Sequence, residues 1–93
     1  MDYSSRRWLK LRARVLRRDG YQCQYSKRYG RNVQANTVHH IYPAEQYPEY
    51  QWCEWNLISL SAEAHNKMHD REHGLTGEGR QLQERLKRKG YPE

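Results

Sequence analysis

The spacing of apolar positions changes along the chain, and each change predicts an element. In "SSRRWLKLRARVLRRDG" Trp8, Leu11 and Val15 recur at helical spacing with Leu9 and Leu16 beside them, while Arg6, Arg7, Lys10, Arg14, Arg17 and Arg18 occupy the other face. This predicts an amphipathic helix with Ser4 or Ser5 as N-cap and Asp19-Gly20 as its stop. "YQCQYS" alternates like a short strand, and "KRYGRN" reads as a polar turn. "TVHHI" is a second extended piece, rich in β-branched residues and closed by Pro43. After the long loop "PAEQYPEYQWCEW", "NLISLS" reads as a strand with Leu57 and Ser59 on one face and Ile58 and Leu60 on the other. Ser61 can cap a helix over "AEAHNKMHDREH" that ends at Gly74, and "RQLQERLKRKG" pairs Leu82 with Leu86 on one face of a last helix.

These elements predict one small α+β domain over residues 1–93, with a basic helix in 1–20 and a basic C-terminal helix or tail in 76–93. A chain of 93 residues that is 35% hydrophobic and 30% charged builds a thin core, yet its tryptophans and tyrosines argue against disorder. The formal charge of +6 is uneven. Residues 1–32 carry ten Lys or Arg against two acids, residues 33–75 carry two against six, and residues 76–93 carry five against three. Basic flanks around an acidic, histidine-bearing middle suggest a polyanion, most simply nucleic acid; on charge alone a solvated helix face explains them equally well.

No apolar run approaches the roughly 20 residues that span a bilayer, and the first residues are charged where a signal peptide is apolar, so a cytoplasmic protein without a membrane role is expected. Cys23 and Cys53 are too few for a disulfide framework and read as reduced thiols.

His65 and His69, four apart, share a helix face and can chelate one ion, although this spacing alone is common by chance. His39 and His40 are neighbours on an extended segment and point to opposite faces. If the two extended pieces form a hairpin and the helix crosses it, one of the pair joins His65 and His69 and the other stands free. Three imidazole ligands leave coordination positions open, as in catalytic sites, and a free imidazole beside them can take a proton from water at neutral pH.

The order "VHHIYP", "WNLISLS", "HNKMH" resembles the ββα-metal motif of the HNH endonucleases over residues 36–73, and "WLKLRARVLRRDGYQCQYS" is similar to the basic helix and turn that precede it. The resemblance implies a metal-dependent nuclease of a small phage type, with His39, His65 and His69 as metal ligands and His40 as the general base. It assigns Asn56 to orienting that base and fixing the loop. An all-histidine set, as in the bacteriocin DNases, favours Mn, Co, Ni or Zn over Mg. Arg6, Lys10, Arg14 and Arg17 are the expected DNA-phosphate contacts, and a phage packaging protein is a further expected partner. Many family members also hold a structural zinc on two CxxC pairs. Here those positions read Cys23, Ser26, Ser61 and Ala64, so that site cannot form.

Two other classes fit the residues: a non-catalytic DNA-binding accessory with a structural metal, and a structural zinc module of four histidines. Among the remaining residues, His73 and Lys67 read as solvated, Cys53 as a small buried hydrophobe, and most aromatic residues as packing.

Overall fold

The computed structural model describes residues 1–70 and 74–92; the reading of His73 lies outside the described residues. Helix α1 spans Arg6–Arg18 and is capped by Ser5, whose hydroxyl accepts the Trp8 N–H. Trp8, Leu11, Val15 and Leu16 are buried, whereas Leu9 is 52% exposed: it stands on the far side of the helix from Leu11 and Val15. Asp19 ends the helix and Gly20 follows at φ 63°, a left-handed turn that suits glycine. The predicted strand at "YQCQYS" is instead a five-residue helix, α2 (Gln24–Arg28). Strand geometry survives only as a single bridge between Gln22 and Gln34; beyond it the chain coils, which turns Cys23 and Ser26, three residues apart, into the interior.

Strands β1 (Thr37–His40) and β2 (Leu57–Leu60) form the antiparallel hairpin, with His39 opposite Ile58 and His40 opposite Leu57. Each face of this ribbon has its own cover. Val38 and Leu57 pack with Trp8, Leu11, Val15 and Leu16 of α1, while Leu60 packs with Ala64 and Met68 of the following helix and with Leu82 and Leu86 of the last one. The outer edge of β2 is plugged. Arg18 donates to the carbonyls of Glu54 and Leu57 at 2.8 and 2.7 Å and forms a two-pronged pair with Asp19, whose second oxygen accepts the Ser59 N–H at 3.0 Å. Charge-assisted bonds thus satisfy backbone groups that a third strand would otherwise claim.

The long loop is ordered by its aromatic residues and by one amide. It contains two short 3-10 turns, Pro48–Tyr50 and Glu54–Asn56, and Tyr42 meets Tyr47, Tyr50 and Trp55 edge-on. These rings read as packing, in line with the sequence.

Helix α3 (Ala62–Met68) starts at Ser61, which accepts the Ala64 N–H, and is shorter than its pattern suggested. His69 is already extended (φ −125°, ψ 139°) and opens the two-residue strand β3 (His69–Asp70), which pairs with β4 (Gly74–Leu75). Thr76 explains the stop: its hydroxyl donates to the Lys67 carbonyl and its N–H to the Met68 carbonyl, satisfying oxygens that a longer helix would have used. The same Thr76 caps α4 (Gly77–Arg88). Gly79 lets the two helix ends touch, since a Cβ there would lie 2.6 Å from the Met68 oxygen. No helix among the described residues is long and apolar enough to cross a membrane.

Candidate metal centre and the histidine beside it

Because successive residues of β1 alternate faces, His39 turns toward α3 and His40 toward α1. On the α3 side, His39, His65 and His69 come together with one ring nitrogen of each within 4.8 Å of the others. Ring centroids are 5.0 to 5.2 Å apart, each pair edge-on. His69 reaches this cluster from just beyond the end of α3, so its placement depends on the β3–β4 pairing and on Thr76 rather than on a helical register.

The donor set fits a divalent cation. His39 is 1% exposed, and its Nε2 is buried with no hydrogen-bond partner among the described residues. Leaving such an atom unpaired costs about 1–3 kcal/mol, and coordination would supply the missing partner. Burial, reinforced by the neighbouring imidazoles of His65, His69 and His40, pushes the His39 pKa down from 6.5 to about 3. Burial and then His69 lower that of His65. Neutral imidazole is the form that binds metal. His65 is partly exposed and His69 exposed, so the cluster opens outward on one side.

His40 is set differently. Its ring stacks on Trp8 at 5.2 Å and 19°, with Tyr3 edge-on at 6.3 Å. Its Nε2 lies 3.1 Å from the Gln51 carbonyl. A carbonyl only accepts, so Nε2 carries the proton and Nδ1 keeps its lone pair, without a partner among the described residues. Burial lowers the His40 pKa, partly offset by the bond to Gln51. The ring is therefore neutral near pH 7 and held in one tautomer, the state a base requires.

Asn56 is fully buried and does not touch His40 among the described contacts. Its Oδ1 accepts the Tyr42 N–H at 2.7 Å, and its Nδ2 donates to the carbonyls of Tyr42 and Tyr50 at 3.0 and 3.2 Å. It thereby pins both ends of the loop whose next residue, Gln51, holds His40. Any influence on His40 passes through that backbone.

Both histidine sets line one cleft of about 840 Å³, which also admits Arg12, Glu45 and Arg80. Arg6, Lys10, Arg14 and Arg17 are exposed on the side of α1 opposite its buried stripe and do not line this cleft; Arg14 pairs with Glu54 at 2.8 Å. Arg12 follows Trp8 by one helical turn, a signal the charge count passes over, and Arg80 is the fourth residue of α4. Lys67 lies over the Tyr25 ring, and Cys53 is half-buried rather than buried. At the four zinc-type positions, Cys23 accepts a weak bond from Ser26, Ser61 caps α3 and Ala64 packs in the core, and no second metal-type cluster occurs among the described residues.

A search of solved structures finds the HNH endonuclease of the deep-sea thermophilic bacteriophage GVE2, crystallised with a manganese ion, at a TM-score of 0.67 and 29% identity, covering 92% of this chain and 79% of that one. No protein-family model and no curated protein matches the chain.

Proposed function

We propose, from an HNH-type fold with a three-histidine cluster open on one side, that this protein is a divalent-metal-dependent endonuclease acting on DNA. The observation that carries the reading is the division of labour across β1: three imidazoles converge on one face while His40 is fixed on the other through Nε2, its Nδ1 without a partner among the described residues.

His39, His65 and His69 would hold the cation, which supplies positive charge to the scissile phosphate and the leaving 3′ oxygen when bound. Three nitrogen donors favour manganese, cobalt, nickel or zinc over magnesium. His40 takes a proton from the attacking water at Nδ1 while Gln51 holds Nε2–H, and the cut leaves 5′-phosphate and 3′-hydroxyl ends. Asn56 positions the loop that carries Gln51. The outer row of α1, Arg6, Lys10, Arg14 and Arg17, offers the duplex long-range attraction without reading its sequence.

The four-histidine zinc module is disfavoured because His40 stands outside the cluster and is bound to a backbone carbonyl. The accessory reading is separated by plasmid nicking across a panel of divalent metals. Metal-dependent nicking that chelator and His40→Ala both abolish supports the endonuclease; a metal-replete protein that binds DNA but leaves the plasmid intact refutes it.

A further inference from the structure

We propose that Arg12 and Arg80 are phosphate-binding residues that grip the nucleic-acid backbone on the two sides of the histidine cluster, an assignment that rests on the endonuclease reading. The described lining of the cleft carries these two arginines against a single carboxylate, Glu45. They arrive from opposite walls. Arg12 belongs to α1, which covers the His40 face; Arg80 belongs to α4, which packs on the helix that bears His65.

Arg12 has a fixed side-chain seat, and Arg80 has a fixed backbone. Arg12 Nη2 donates to the Asn36 carbonyl at 2.8 Å, directly ahead of β1. That bond uses one of five guanidinium N–H groups and leaves the rest of the fork unbonded among the described residues, so little ordering remains to be lost when a phosphate is bound. Arg80 follows Gly79, the residue pressed against the Met68 carbonyl, so the first turn of α4 cannot draw away from the end of α3 without breaking that contact. The forked guanidinium matches two phosphate oxygens at once, a geometry lysine lacks.

The outer row of α1 cannot play this part, because it faces away from the cleft and Arg14 is held by Glu54. A duplex whose scissile phosphate lies at the histidines presents its neighbouring phosphates to the cleft walls instead.

The test uses the full chain carrying His40→Ala, so that binding is read without turnover. Affinity for short duplexes of unrelated sequence is titrated at several salt concentrations. Arg12→Gln and Arg80→Gln are each expected to make the salt dependence shallower by about one unit and to weaken binding alike on every sequence. Arg12→Lys and Arg80→Lys, which keep the charge but lose the fork, should restore the slope while leaving affinity below that of the arginine protein. Lys10→Gln should move the slope less. Unchanged slopes in both glutamine variants, no restoration by lysine, an equal fall for Lys10→Gln, or a loss confined to one sequence each overturns the assignment. A protein that binds through these arginines yet never cuts DNA would sink the endonuclease reading and leave the phosphate assignment standing.

Discussion

The two faces of β1 treat chemically identical side chains in opposite ways. On the α3 face the His39 ring is buried with a nitrogen that has no partner among the described residues, and its neighbours are two more imidazoles. On the α1 face the His40 ring is packed nearly as tightly, but one nitrogen is anchored to a carbonyl and the ring plane rests on Trp8. Burial alone therefore does not distinguish them. What differs is which lone pairs are spoken for: the first environment offers three nitrogen donors to one point, and the second has chosen a tautomer.

The largest expected effect follows from breaking that division. His40→Ala should reduce cleavage by about 10²-fold or more while leaving metal affinity near wild type, whereas His65→Ala and His69→Ala should weaken metal binding as well. Calorimetry with manganese, run beside the plasmid assay, reads both; equal loss of metal in His40→Ala would merge the two faces into one site.

Asn56→Ala should be next. It strands the buried Tyr42 N–H and frees the loop that carries Gln51, so a loss of about 3 kcal/mol in urea unfolding is expected, together with reduced cleavage in the protein that remains folded. Wild-type stability in this variant would mean that the amide does not pin the loop.

Acid should act on the α3 face. The unfolded chain takes up a proton at His39 near pH 6.5, whereas the folded, metal-free chain refuses it until about 3. The unfolded state thus binds more protons in this window, and stability falls as pH falls through it, with little change above it. Urea melts in chelator at about pH 7 and about pH 5 should show the drop, and His39→Gln should reduce it, the remainder belonging to His40 and His65. A drop of equal size in His39→Gln would assign the effect elsewhere.

The smallest expected change concerns the α1 face. Trp8→Phe keeps an aromatic ring under His40 but reduces its area, so cleavage should fall only several-fold with metal affinity unaltered. A loss as deep as that of His40→Ala would show that the indole does more than orient the ring.

Much of this arrangement was legible beforehand, for physical reasons. The alternation of a strand separates His39 from His40 whatever surrounds them, and the helical spacing of Trp8, Leu11 and Val15 finds the buried side of α1. The rest depends on partners distant in sequence or on the backbone. The Gln51 carbonyl that fixes His40 has no signature in residue type. The end of α3 is decided by Thr76, which satisfies its last carbonyls from beyond β4, so the HxxxH spacing suggests a shared helix face where His69 has already left the helix. The segment around Cys23 is too short for its alternation to outweigh the pull of Cys23 and Ser26 into the core. A count of cations along α1 also favours its crowded outer row and passes over Arg12, which lines the cleft.

The plug formed by Arg18 and Asp19 has a consequence for how copies of this protein meet. A two-stranded ribbon ordinarily invites edge-to-edge association on both sides. Here the outer groups of Leu57 and Ser59 are already bonded to charged side chains, so a foreign strand would have to displace a bidentate ion pair before it could dock. The other edge of the ribbon runs along the cleft. A strand added there would lie in the path proposed for DNA, so self-association through this sheet and access of substrate to the histidines exclude one another.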